Sequence, residues 1–323
     1  MSYPVSFEPP AAPRRRRRRT RQWVLLIAVV VVALGVGGLF VARAMSAPSV
    51  VRGTVQLPNL PWPGEGQAAA EVEGLGTLGT SGTQTPVPIA SVTKVMTAYV
   101  VLRDHPLTND DGPSIQVDVQ AQDEAQQAKS TEESTVPVVA GQRFTERQLL
   151  AAMLIPSGNN IARLLARWDA GSQDAFVRKM NQMAASLGMW QTTYTGASGV
   201  EASTMSTATD QLILARAAMT DDAIRTIVSE RSTRIPGIPG NITNTNTLLG
   251  QDGIVGLKTG STSEAGGALM WAAYANSAKG PKLVLGVVLY QQPGGSPNAG
   301  LAAALAASQK LVEGIESALP AMS

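Results

Sequence analysis

The chain is predicted to be an α/β protein in which an antiparallel sheet is flanked by packed helices. Three observations predict it. Strand-like segments open the long stretch between about residues 67 and 320, others close it, and between them lies a block of segments with apolar residues at three- and four-residue spacing. First strands that pair with the last ones, over packed helices, satisfy all three.

In order along that stretch, Gln67 to Val72 is short and apolar and Gly74 to Gly79 is glycine-rich, a strand-turn-strand pattern. A helix is expected from about Ser91 to Arg103, ended by Pro106. Helical spacing then recurs from Thr145 to Ile155, Asn160 to Trp168, Ser172 to Leu187 and Thr207 to Met219. Ile254 to Lys258, Gly267 to Ala275 and Lys282 to Tyr290 read as strands, joined by turns containing Gly260, Gly280 and Pro281. A last helix from about Asn298 to Ala318 places Leu301, Ala304, Leu305, Leu311, Val312 and Ile315 on one face.

The 323 residues are 44% apolar, with no Cys, one His and 4% aromatics. A cysteine nucleophile, a disulfide framework, a thiolate zinc site and a multi-histidine metal site are therefore excluded. A Ser-His-Asp triad would have to use His105, which sits beside Pro106 and reads as a residue at a helix C-terminus. A hydrolase built on this chain needs a base other than imidazole. Nothing in the sequence indicates a metal or an organic cofactor.

The formal charge of +2 is unevenly placed. Residues 1–44 hold eight arginines against Glu8 alone, while the remainder is net negative by five, which argues against nucleic-acid binding. Residues 1–22 read as a cytoplasmic Arg-rich tail. The twenty uncharged residues 23–42 would span roughly 30 Å as a helix, the thickness of a bilayer core. Arg14 to Arg19 directly before them place the N-terminus in the cytoplasm and the rest outside. The alternative is a cleaved signal peptide, whose apolar region is normally about 7–15 residues. Residues 43–66, with prolines at 48, 58, 61 and 63, read as a linker, and 67–320 as one catalytic domain.

Three short motifs carry the chemistry. In Ser91-Val92-Thr93-Lys94, helical spacing of three brings hydroxyl and amine to one face, at a helix N-terminus that favours developing negative charge. An ordinary lysine is protonated at neutral pH, so the site must depress its pKa by burial or by a second cation. Lys258, in Lys258-Thr259-Gly260 at the expected end of a strand, is the candidate cation. Ser157-Gly158-Asn159, after Pro156, reads by itself as a turn.

In the order S-x-x-K, S-x-N, K-T-G, separated by 66 and 101 residues, the three motifs resemble those of the serine D-alanyl-D-alanine carboxypeptidases, the low-molecular-mass penicillin-binding proteins. Ile89 to Tyr99, Leu154 to Asn160 and Gly256 to Thr262 extend the likeness, which covers about residues 67–290. The resemblance implies a β-lactamase/DD-peptidase-like fold with an inserted helical subdomain. It also implies that Ser91 attacks the carbonyl between two D-alanines of a peptidoglycan stem peptide, with β-lactams as covalent inhibitors. Lys94 would be the base, and Ser157 with Lys258 would pass a proton to the leaving amine. Asn159 would hydrogen-bond the peptide, Thr259 would bind its terminal carboxylate, Gly260 would also be substrate-binding, and the backbone N–H groups of Ser91 and Ser261 would form the oxyanion hole.

The sequence departs from the family in three places. Only 63 residues follow Gly260, so anchoring is expected from the N-terminal span. The arginine that relatives often place after K-T-G is missing, with Lys279 or Lys282 as possible substitutes. Gly196 to Val200 replaces an Asn-Pro version and reads as structural, with Asp210 capping the next helix and Trp168, Trp190 and Trp271 in the core or at the cleft rim. The alternatives are a β-lactam sensor or noncatalytic wall-binding module and, further off, a β-lactamase. The sensor would have only 22 residues on the cytoplasmic side for an output. The β-lactamase lacks a carboxylate between Asp174 and Glu201 and has Gly158 where Asp is expected.

Overall fold

The computed structural model describes residues 57–321 apart from 58, 109 and 132. The expected spanning segment 23–42 lies outside the described residues, and among those described no helix is long and apolar enough to cross a membrane.

The domain opens with the hairpin β1 (Gln67–Val72) and β2 (Gly76–Ser81), followed by the short β3 (Val87–Pro88). A 3-10 turn, Ala90–Thr93, leads directly into α1 (Lys94–Asp104). Then come β4 (Ser114–Gln116), α2 (Val119–Thr131), β5 (Arg143–Thr145), α3 (Glu146–Leu154), α4 (Asn159–Ala170) and α5 (Gln173–Leu187). After β6 (Met205–Ser206) follow α6 (Ala208–Ala218), α7 (Asp222–Ser229) and the paired β7 (Ser232–Thr233) and β8 (Ile242–Thr243). Three long strands, β9 (Ile254–Thr262), β10 (Gly266–Ser277) and β11 (Gly280–Gln291), precede α8 (Pro297–Ala318).

The sheet order is β2-β1-β11-β10-β9, and all its pairings are antiparallel, so the first strands do join the last. Its faces follow from the two-residue period of a strand. On β10, Ala268, Met270 and Ala272 join the larger core, shared with α1, α3, α4 and α6. Leu269, Trp271, Ala273 and Ala275 face the other way and pack with Leu311, Val312 and Ile315 of α8. Both faces are covered, which is why β10 and β11 are apolar almost throughout rather than alternating. Leu57 and Leu60, within the stretch read as linker, also sit in this second core.

Local chemistry sets the helix ends. Thr145 caps α3 in a reciprocal capping box with Gln148, and Gly171 closes α4 in the left-handed conformation. Thr207 rather than Asp210 caps α6: its hydroxyl accepts from the Asp210 N–H, while the Asp210 carboxylate receives the Gln191 N–H and the Thr192 hydroxyl. Two helices escape apolar periodicity. Among the described side chains of α2, Ala121 is the buried apolar one, and α7 is eight residues long, though Ala223, Ile224, Ile227 and Val228 bury its inner face. Trp271 is in the core, but Trp190 is 78% exposed, outside the core and not among the residues lining the cleft described below.

Candidate active site

Ser91 lies in the 3-10 turn before α1, not in the first α-helical turn, and Lys94 is the first residue of α1. The expected contact forms nonetheless: Lys94 Nζ is 2.8 Å from Ser91 Oγ. The same nitrogen is 2.6 Å from Asn159 Oδ1 and 2.7 Å from the Ser198 carbonyl oxygen. Two of these three partners can only accept. A neutral amine has two hydrogens and one lone pair, so donating to Asn159 and Ser198 leaves the lone pair directed at the Ser91 hydroxyl.

Burial favours that neutral form. Lys94 is fully buried, and its pKa is held well below the usual lysine range, first by desolvation and then by the positive charges of Lys258 and Arg163. Glu201 and Glu133 oppose the shift. Lys258 lies in the middle of β9, not at a strand end, and is itself pushed down to about 7 by burial. Its ammonium donates to the Thr259 carbonyl at 3.1 Å and lies 3.4 Å from Thr259 Oγ1. The two amines, 164 positions apart in sequence, thus belong to one electrostatic site.

Asn159 opens α4 and is occupied at both ends, for its Nδ2 donates to Glu133 Oε2 at 3.1 Å. Glu133 also pairs with Arg163 at 3.0 Å. Two residues earlier, Ser157 is buried and adopts φ 68°, a left-handed conformation uncommon outside glycine and asparagine, costing on the order of 1–3 kcal/mol. At Gly158 a Cβ would stand 2.8 Å from both the Ala152 carbonyl oxygen and Val136, so the aspartate of the S-D-N pattern has no room here.

Gly260 has a comparable role on the other side. A Cβ there would lie 3.0 Å from the backbone nitrogens of Ser91 and Val92, and its absence lets β9 pass against the turn that carries Ser91. Ser91 and Ser261 then line one cleft of about 650 Å³, together with Glu133, Asn159, Val200 and Glu264. No group of acidic or histidine side chains suited to a metal occurs among the described residues.

Sequence reasoning missed Ser198 and Glu133. The loop read as purely structural supplies a carbonyl to Lys94, and backbone acceptors leave no mark in residue identity. Glu133 has no motif around it. Lys279 and Lys282 do not meet the expectation placed on them. Gly260 pairs with Ala268 at one end of β10, whereas Lys282 pairs with Ala275 seven residues along, roughly 24 Å away, and Lys279 lies beyond it in the turn. His105 ends α1, 3.2 Å from Asp169 and stacked on Trp168, outside the cleft lining.

The family model described as D-alanyl-D-alanine carboxypeptidase matches residues 77–289, two thirds of the chain. The chain belongs to that family. A D-alanyl-D-alanine carboxypeptidase of Streptomyces sp. strain K15 is 33% identical over 229 residues, covering 66% of this chain and 76% of that protein. The D-alanyl-D-alanine carboxypeptidase DacB2 of Mycobacterium tuberculosis is 35% identical over 209 residues, 63% of this chain and 66% of its own length. Among solved structures, the Streptomyces K15 DD-transpeptidase superposes with a TM-score of 0.67 at 27% identity, over 80% of this chain and 98% of that one. The family fold is therefore the fold of this carboxypeptidase-family member, an antiparallel sheet with helices on both faces.

Proposed function

We propose that the protein is a serine-type D-Ala-D-Ala carboxypeptidase that releases the terminal D-alanine of peptidoglycan stem peptides through an acyl-enzyme and is acylated by penicillin. The observation that carries this reading is the environment of Lys94, where two carbonyl oxygens take both amine hydrogens and leave the lone pair for Ser91.

Ser91 Oγ gives its proton to Lys94 Nζ and attacks the carbonyl carbon between the two D-alanines. The oxyanion that forms is held by the backbone N–H groups of Ser91 and Ser261, each contributing on the order of 3 kcal/mol. The C–N bond then breaks, and the departing amine takes a proton through Ser157, assisted by Lys258. Water enters, gives a proton to the site and cleaves the ester, restoring the Ser91 hydroxyl. Asn159 retains one amide hydrogen for the peptide after its bond to Glu133, and Thr259 meets the terminal carboxylate.

We place the domain outside the membrane, held by residues 23–42 with the arginine tail in the cytoplasm. The support is the uncharged run of twenty residues behind six consecutive arginines. A labelled penicillin is expected on Ser91, and Ser91→Ala is expected to remove both labelling and D-alanine release. Labelling of wild type without release would favour the sensor, and rapid turnover of the drug a β-lactamase. Mass analysis of a stem pentapeptide after incubation separates hydrolysis from transfer to a second peptide.

A further inference from the structure

The carboxypeptidase reading requires a receptor for the substrate's terminal carboxylate, and Lys279 and Lys282 stand at the wrong end of the sheet. What does converge beside K-T-G is a pair of hydroxyls. Thr245 Oγ1 is 2.5 Å from Thr259 Oγ1, and Lys258 Nζ lies 3.5 Å from Thr245 Oγ1 and 3.4 Å from Thr259 Oγ1. A single buried cation thus serves a hydroxyl pair in which one hydrogen is taken by the Thr245–Thr259 bond and the other can turn toward an anion.

Thr245 is held in place by its neighbours. Asn244 donates to the Glu230 carbonyl at 3.0 Å and accepts from the Asn246 N–H at 2.9 Å, while Asn246 donates to the Gly256 carbonyl at 3.3 Å. Both asparagines are buried; Thr245 between them stays half-exposed. Its own N–H donates to the Ile155 carbonyl at 3.2 Å, fixing it to the segment that carries Ser157. The hydroxyl is therefore preset against Thr259 rather than free to seek solvent.

We infer that Thr245 is a specificity-determining residue whose hydroxyl, beside those of Thr259 and the Lys258 ammonium, receives the substrate's C-terminal carboxylate in place of an arginine. The inference rests on the peptidase reading above. No covalent step is added: the hydroxyl pair gives the carboxylate one hydrogen, its other hydrogen holds the two threonines together, and the Lys258 ammonium polarises both.

The test compares wild type, Thr245→Val and Thr245→Ser on two acylated peptides ending in D-Ala-D-Ala, one with a free C-terminal carboxylate and one amidated. Thr245→Val is expected to lower kcat/KM on the carboxylate peptide about tenfold to a hundredfold, mainly through KM, the effect of losing one hydrogen bond to a charged group. On the amide it should change little, and Thr245→Ser should restore most of the loss. Equal losses on both peptides, or no rescue by serine, would overturn the inference while leaving the peptidase standing. A wild-type protein that releases no D-alanine from the carboxylate peptide would overturn both. Penicillin labelling of Thr245→Val at wild-type stoichiometry shows that the variant is folded.

Discussion

On the wall formed by α2 and α4, Arg163 and Arg167 face carboxylates: Glu133 at 3.0 Å for the first, Asp118 at 2.6 Å and Glu124 at 3.3 Å for the second. Beneath the adjoining cleft, Lys94 and Lys258 are buried more deeply, yet their hydrogen-bond partners are hydroxyl, amide and carbonyl oxygens. The difference decides what each cation can do. A guanidinium with a carboxylate keeps its charge and ties helices together. An amine buried among neutral acceptors loses its preference for the proton and becomes a base. Glu133 joins the two regions, because it anchors Arg163 on one side and the Asn159 amide on the other.

The comparison is broken most severely by taking away the proposed base. Lys94→Ala is expected to slow acylation by a labelled β-lactam roughly 10²–10⁴-fold, read as the second-order labelling rate. An effect below tenfold would mean that another group accepts the Ser91 proton.

Lys258 sharpens it through pH. With its pKa near 7, the ammonium loses its charge as pH rises through neutrality, so D-alanine release should fall on the alkaline side. Lys258→Arg should retain charge and shift that limb upward, measured as kcat/KM from pH 5 to 10. The same group affects stability. Between about pH 7 and the ordinary lysine value the unfolded chain binds a proton that the folded chain does not, so stability contributed here rises with pH across that window and is least below it. Lys258→Met is therefore expected to raise stability at pH 6 by about 1–4 kcal/mol while abolishing activity, seen in urea unfolding.

Glu133→Gln is a milder change that keeps the geometry. Glu133 holds the Lys94 proton on, so removing its charge should move the acid limb of the acylation profile to lower pH, with little change at the plateau. An unmoved limb would separate Glu133 from the base electrostatically.

The smallest effect is expected away from the cleft. Glu146, the first residue of α3, is fully buried, and neither of its oxygens has a hydrogen bond among the described residues. Burial, with Asp110 and Asp169 adding to it, pushes its carboxyl up to about 7. Its unfolded form ionises at lower pH than its folded form, so this group costs stability as pH rises from the ordinary carboxylate range through 7. Glu146→Gln should raise the melting temperature more at pH 8 than at pH 5, by a few degrees.

Much of the fold was legible because its signals are local. The apolar runs of β9 to β11 and the spacing along α3 to α6 and α8 appear in adjacent residues, and the structure moves their ends by only a few positions, mostly lengthening the strands. Helix α2 was not legible, since its face rests on Ala121 and on ion pairs contributed by other elements. The nature of Lys258 as a mid-strand residue was hidden too, for β9 continues through Gly260 where a glycine suggested a turn.

In the site the division is the same. Ser91 and Lys94 are three residues apart, and helical geometry alone brings them together. The chemistry of Ser157, Asn159 and Lys258 could be named from their motifs, because a hydroxyl, an amide and an amine are properties of the side chain itself. Whether Lys94 is a base depends on what surrounds it: the Ser198 carbonyl, the Asn159 amide, the charge of Lys258 and the exclusion of water, all supplied by chain segments scores of residues away. A pKa reports the free energy of a charge in its surroundings, and those surroundings exist only once the sheet and helices have closed around it.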